Sequence, residues 1–412
     1  MKVESNRLPH GEELPLLIDS DGMPVPAANE WLLTRRDKAS NTLGRNLREL
    51  IPLFQWLEDR NIDLWERISS GQGFTEAEVR GSLLEALRRG RSRGSTVVEL
   101  SIGPESYNQR LDTTARFLKW IFGTCLSSLP SEHRSYDRIQ ANLDLILRWF
   151  SDSRMSPQPN RRAEKALTQV EQAYLLDCLD PSKAGYDSYG RPATARKKPE
   201  ARQYGQALRH RNFVITALLL FCGLRRGELL NLWVDDVVTG SAIPQVDVVR
   251  RDSDPDDQRT YRPQVKRLGR PLPLAPRWAR IVDEYITEYR DILLDRGDED
   301  TNYLILASNG RAMSLAQVDK IFRQIRAAHP ERLPVYLTPH TLRHCFSINM
   351  LIELQNAGLP EDEARRQLAA LRGDASEKSQ DAYVATQIAK QASERLLAYQ
   401  QRLADASRDV PL

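Results

Sequence analysis

The chain has 412 residues, 41% of them hydrophobic and 28% charged, which is ordinary for a globular protein with room for two or three cored domains. No apolar run of about 18 residues occurs, and the N-terminus "MKVESNRLPHGEELPLL" lacks a basic start followed by an apolar core, so neither a membrane span nor a secretory signal is predicted, and a cytoplasmic protein is expected. The net charge of +3 excludes a polycation, and the four scattered cysteines, Cys125, Cys178, Cys222 and Cys345, form no CxxC pair, which fits a reducing compartment and argues against a structural zinc cage.

Residues 1–27 read as a polar N-terminal arm with Pro and Gly and no clear period. "SNTLGRNLRELIPLFQWLEDR" then opens with a Ser/Asn cap. Leu43, Leu47, Leu50, Phe54 and Leu57 recur at three and four residues, which predicts an amphipathic helix. "SYNQRLDTTARFLKWIFGTCL" repeats the pattern through Leu111, Ala115, Leu118 and Ile121, and "SYDRIQANLDLILRWF" supplies another helix. These predict a helical domain over 28–150. "SDSRMSPQPNRRAEKA" has two prolines and no apolar period, and is taken as a linker at 151–164.

"LTQVEQAYLLDCLD" starts a new helix with a Thr cap. A basic loop follows, then the apolar helix "NFVITALLLFCG". "LRRGELLNLWVDDV" comes next, with β-like segments in "PQVDVVRR" and "GRPLPL" and a short strand in "NYLILAS". From Ser314 the pattern is helical to the end. The expectation is a mostly helical α/β domain with a small antiparallel sheet over 165–395, and a C-terminal helix or tail at 396–412. The whole chain is mainly α.

Charge is unevenly placed. "RRGRSRG" (88–94) carries Arg88, Arg89, Arg91 and Arg93. "GRPATARKKPEARQYGQALRHRN" (190–212) carries Arg196, Lys197 and Lys198 and has Glu200 as its lone acid. Local basic patches on a near-neutral chain point to a phosphate-rich partner; the plainer reading is two solvated loops.

"YLTPHTLRHCF" (336–346) puts His340 and His344 four residues apart on a helix. A zinc-peptidase helix needs H-E-x-x-H, but Thr341 stands where the glutamate would be and Arg343 would set a cation beside the metal. Thr338 is a good N-cap and Pro339 suits the first helical position, so His340 and Arg343 sit at a helix start, where free N–H groups favour an anion. In "LLLFCGLRRGELLNL", Gly223 ends the apolar helix and Arg225 stands where a new one begins. Glu228, one turn on, is placed to hold its guanidinium; a surface Arg226 and an ordinary Arg225–Glu228 pair is the alternative.

In the order GLR, then HxLRH, then Gly–x9–Tyr in "LRGDASEKSQDAYVA", the chain resembles the tyrosine recombinase, or phage integrase, family. The motifs cover roughly 165–395, and the helical region before them resembles that family's core-binding domain. The resemblance implies a core-binding domain and a catalytic domain that together clamp DNA. It makes Arg225 the first catalytic arginine, His340 and Arg343 the HxxR pair, and Tyr383 the nucleophile. "QVKRLGRPLPL" offers Lys266 as the family's hairpin lysine, with Arg270 at the strand arginine position. The segment before Lys266 carries the acidic "RDSDPDD" and reads as an extended hairpin.

The implied chemistry explains the residue types. Attack of a tyrosine on DNA passes through a phosphorane-like state with extra negative charge on the non-bridging oxygens, and two arginines clamp those oxygens. Tyr383 has to lose its proton, which His340 is suited to accept. The leaving 5′ oxygen needs an acid, for which Lys266 is suited. The 3′-phosphotyrosine keeps the bond energy, so neither ATP nor a metal is required. One departure stands out. Asp374 occupies the place where the family usually has His or Trp. An ionised carboxylate there would repel a phosphate. Three explanations stay open, with buttressing favoured: Asp374 is protonated, it turns away to buttress an arginine, or Lys378 or His344 substitutes as donor.

Tyr399 is the other candidate nucleophile, in an amphipathic C-terminal helix where packing explains it. His344 and Cys345 read as structural. The expected activity is site-specific DNA recombination, with four protomers on two double-stranded DNA sites and room for helper proteins. The rivals are a type IB topoisomerase and a DNA-binding accessory protein of the same fold that has lost cleavage.

Overall fold

The computed structural model describes residues 1–8, 12–90, 101–130, 132–156, 166–193, 199–242, 244–251, 257, 259, 262–263, 265, 269–298 and 300–374. They fall into two compact units, Met1–Pro159 and Asn160–Leu412. Among the described residues no helix is long and apolar enough to cross a membrane.

The first unit begins with strands β1 (Lys2–Arg7) and β2 (Glu13–Ile18), paired antiparallel from Lys2–Ile18 to Arg7–Glu13. The expected arm is thus half hairpin. Its period of two lasts only a few residues and is interrupted by Pro15, so composition hides it. Leu17 is fully buried, and the Asn29 amide brackets its backbone, accepting from Leu17 N at 2.8 Å and donating to Leu17 O at 3.0 Å.

Helices follow: α1 (Pro26–Leu33), α2 (Ser40–Asp59), α3 (Leu64–Ser69), α4 (Glu76–Glu78), a π turn at Val79–Leu83, α5 (Leu84–Arg88), α6 (Pro104–Ser128) and α7 (Tyr136–Asp152). In α2 the N-cap is Ala39, with no side-chain bond; Ser40 is already helical. The predicted stripe of Leu43, Leu47, Leu50, Phe54 and Leu57 is buried with Leu111, Leu118 and Ile121 of α6 and Ile139, Leu143 and Ile146 of α7. Phe117 sits edge-on to Trp31 and Phe54, with ring centroids 5.7 and 5.4 Å away.

The second unit opens with α8 (Gln169–Leu179), whose cap Thr168 accepts from Glu171 N while Glu171 accepts from Thr168 N. Next is α9 (Pro199–Phe221), buried on every side from Phe213 to Leu220. The basic stretch 190–212 is therefore a helix from Pro199 onward. Its Arg209 and Arg211 are only 3% and 4% exposed. Arg209 donates to the carbonyls of Asp180, Lys183 and Tyr186, and Arg211 to that of Leu306. These two arginines belong to the interior, not to a phosphate-facing surface.

After α9 come α10 (Arg226–Leu229), a 3-10 turn at Val234–Asp236, and strands β3 (Val237–Val238), β4 (Gln245–Val248) and β5 (Arg270–Pro273). They form an antiparallel sheet in the order β3-β4-β5. Between β4 and β5, the described residues Asp257 and Arg259 are buried. Arg259 pairs with Asp257 and donates to Leu230 O at 2.9 Å, and its guanidinium lies 4.2 Å from the Tyr303 ring centroid.

The remaining elements are α11 (Pro276–Glu284), a π turn at Tyr285–Tyr289, α12 (Arg290–Leu294), α13 (Leu315–Ala328), α14 (Pro339–Asn356) and α15 (Glu361–Arg372). The strand expected in "NYLILAS" does not form. Only single bridges occur, Trp233–Tyr303 and Leu306–Ala312. Leu304, Ile305 and Leu306 are all buried, so no face is left for solvent. Their carbonyls go elsewhere: Tyr285 Oη donates to Leu304 O at 3.1 Å, and Arg290 and Arg211 donate to the carbonyls of Tyr303 and Leu306.

Gly223 ends α9 at φ +59°, in the left-handed region, and a Cβ there would overlap the Phe346 ring of α14. This turn carries the chain from the buried helix to Arg225. Gly223→Ala should cost roughly 2–4 kcal/mol from backbone strain and overpacking together, read as a fall in the urea midpoint of the full chain.

Candidate active site

Arg225 is the N-cap residue of α10, with extended backbone, and Glu228 is the third residue of the helix. Glu228 folds back on its own turn. Its Oε2 accepts from Arg225 N at 2.9 Å and its Oε1 from Arg225 Nη1 at 2.7 Å. The side chain is wholly buried. Two more arginines reach it from distant elements. Arg270, the first residue of β5, donates from Nη2 to Oε2 at 3.0 Å and from Nε to Leu371 O at 2.6 Å. Arg343 of α14 brings Nη1 to 3.7 Å from Oε2. Burial pushes the Glu228 carboxyl up. Arg270, the Arg225 N–H and Arg343 outweigh it, and the net pKa lies below the usual carboxylate value.

The start of α14 places Arg343 inside. Thr338 accepts from Thr341 N at 3.2 Å, Thr341 Oγ1 donates to Tyr336 O at 2.8 Å, and Pro339 fills the first turn. His340 is exposed, its ring T-shaped to His344 with centroids 4.2 Å apart. Arg343 is 3% exposed. It donates from Nη1 to Gly223 O and from Nη2 to Arg372 O, the latter at 3.0 Å. Burial, with Arg372 and Arg225 nearby, pulls Arg343 down to about 9, while Glu228 and Asp374 hold it up; it stays a cation at neutral pH. Cys345 lies behind, its Sγ accepting from Leu167 N at 3.2 Å, and burial pushes the thiol up to about 11.

The fourth wall is the end of α15. Gly373 caps the helix at φ +62°, and a Cβ there would come within 2.5 Å of Arg270 Nη1. The turn sets Asp374 on the arginines. Its Oδ1 pairs with Arg225 Nη2 and lies 3.5 Å from Arg343 Nη2, and its Oδ2 lies 3.1 Å from Arg372 Nε. The carboxylate bridges the two arginines. Four guanidinium groups (Arg225, Arg270, Arg343, Arg372) thus surround two carboxylates (Glu228, Asp374), a surplus of two positive charges. Of the arginines measured there, Arg225 is the most open, at 29%, against 9% for Arg270 and 4% for Arg343.

The structure therefore brings together Arg225, Arg343 and Asp374, with Arg270 beside them. Arg372, in the last turn of α15, is the residue that sequence reasoning passed over, since nothing beside it in sequence marks it. Arg88 and Arg89 lie in the other unit, at the exposed end of α5. Arg88 stands 5.1 Å from the Tyr107 ring centroid, and Arg89 pairs with Glu85 at 3.0 Å. Arg91, Arg93, Arg196, Lys197, Lys198, Lys266, Lys378, Tyr383 and Tyr399 lie outside the described residues. Among the described residues no group of three or more His, Cys, Asp or Glu side chains is placed to hold a metal ion.

Residues 198–369 match the model of the phage integrase family. The tyrosine recombinase XerC of Alcanivorax borkumensis is 27% identical over 197 residues, which span 48% of this chain and 50% of that protein, so the match covers about half of the relative. Among solved structures, the Tn1549 transposon integrase in complex with circular intermediate DNA is 17% identical, with a TM-score of 0.45, over 87% of this chain and 93% of that one. The XerH recombinase in its post-cleavage complex with a palindromic difH substrate is 14% identical, with a TM-score of 0.41, over 88% and 90%.

Glu228→Ala leaves Arg270 and Arg343 buried without their shared counter-ion. It should destabilise the second unit by about 3–5 kcal/mol, seen as a lower urea midpoint. Glu228→Gln keeps the shape and loses the charge, and should fall between the two.

Proposed function

From the membership of residues 198–369 in the phage integrase family, the family of the tyrosine recombinases, we propose that this chain is a site-specific DNA recombinase. It cuts and rejoins duplex DNA through a covalent 3′-phosphotyrosine. The observation that carries this reading is the meeting of Arg225 and Arg343 on a common pair of carboxylates with positive charge to spare.

A phosphodiester at that cluster receives donors from Arg225 and Arg343 on its non-bridging oxygens, where charge grows as the phosphorus becomes five-coordinate. Tyr383 Oη attacks the phosphorus and its proton passes to His340, which is exposed at the mouth of α14. The bond to the 5′ oxygen breaks, and Lys266 gives that oxygen a proton. A 5′ hydroxyl then attacks the phosphotyrosine, frees Tyr383 and restores the phosphodiester, with no net loss of bond energy. The helical first unit, with Arg88, Arg89, Arg91 and Arg93, and the basic residues Arg196, Lys197 and Lys198 supply sequence-independent phosphate contacts. Four protomers on two sites complete an exchange.

A second reading, a DNA-binding accessory protein without cleavage, rests on Asp374, a carboxylate where a phosphate donor is expected. A nicked duplex built from the sequences flanking the gene separates the two. The wild-type chain should become covalently attached; Tyr383→Phe should bind the duplex and capture none. Arg343→Ala should slow capture by about a hundredfold or more. Adduct retained by Tyr383→Phe would move the nucleophile to Tyr399, and DNA binding without any adduct would favour the accessory reading. Relaxation of supercoiled plasmid without two-site exchange would mark a topoisomerase.

A further inference from the structure

We infer that Asp374 is a resident anion, seated where an incoming phosphate oxygen has to go, and that the phosphate displaces it. The two carboxylates of the cluster divide the arginine donors between them. Glu228 lies on the Nη1 side of both Arg225 and Arg343. Asp374 Oδ1 lies on the Nη2 side of both. One oxygen bridging two guanidinium groups is the arrangement a non-bridging phosphate oxygen makes with a pair of arginines.

Access leads to the same conclusion. The Arg343 side chain is 4% exposed, and its other acceptors are the backbone carbonyls of Gly223 and Arg372 and the carboxylate of Glu228. Gly223 is held at the turn into α10, Arg372 lies in the last turn of α15, and Glu228 is fixed by its own helix and by Arg270. Asp374 differs: it stands past the α15 cap, held by Asp374 N donating to Ala369 O at 3.0 Å. Of the four acceptors it is the one on a side chain beyond regular structure. For an anion to reach Arg343 Nη2, Asp374 is the group that leaves.

The exchange is one anion for another, so the arginines are never without a counter-ion. Buried guanidinium groups that repel one another are costly to leave unpaired, so Asp374 stays in place until a competing anion takes over its role. The displacing ligand is a phosphate monoester or diester oxygen. That it is the scissile phosphate of DNA rests on the reading given above; the anion seat does not.

The test uses the full chain and inorganic phosphate as the probe, with affinity measured by isothermal titration and folding by thermal unfolding. Asp374→Asn and Asp374→Ser should each bind phosphate at least tenfold more tightly than wild type. Adding Arg225→Ala to Asp374→Asn should remove the gain. No gain in either variant, or a gain that survives loss of Arg225, overturns the inference. So does failure of both variants to fold with or without phosphate, because Asp374 is then a structural tie. If phosphate affinity rises as expected and the nicked duplex captures no protein, the recombinase reading falls and the anion seat stands.

Discussion

Glu228 is the interaction on which the second unit depends. Three guanidinium groups meet within a few ångströms of its side chain, in an interior where like charges repel strongly. A buried carboxylate would ordinarily lose its charge, and buried arginines at such spacing would not be tolerated alone. Each cures the defect of the other. The acid also accepts the Arg225 backbone N–H, so the same group closes the first turn of α10 and sets the position of the most open arginine. Local helix capping and the geometry of the arginine cluster are one hydrogen-bonded unit.

The other buried arginines share a second task. Arg209, Arg211, Arg259, Arg290 and Arg343 all donate to main-chain carbonyls of irregular segments. A chain with so small a sheet leaves many carbonyls without ladder partners. The five-donor fork of arginine satisfies them from a distance. Arg209 and Arg211, two of the seven Lys and Arg residues between 190 and 212, therefore serve the interior, and a count of positive residues overstates the surface available to a polyanion.

Several features were legible in the residues themselves. The stripe of α2 announced its buried face. The caps Thr168 and Thr338 marked where α8 and α14 start, and Gly223 marked the turn before Arg225. These signals are local, set by side chains within one or two turns. What escaped is non-local. The β1–β2 hairpin depends on Asn29 and α2 for its support. The segment at Leu304–Leu306 has strand composition, yet its carbonyls are taken by Tyr285, Arg290 and Arg211. Arg372 gave no local sign of joining a cluster with Arg225 and Arg343. Nothing near Asp374 in sequence shows that two guanidinium groups converge on its carboxylate.

The cluster joins residues separated by 42, 147 and 149 positions along the chain. Contacts of such range close late, since each long loop has to be shut before any interaction compensates it. Until α10, β5, α14 and the end of α15 have met, these arginines are not held together. Before folding is complete they are separate, solvated cations with no special attraction for one phosphate. The capacity to grip an anion in two places thus appears with the finished fold, and it is lost as a whole, not by degrees, when that fold opens.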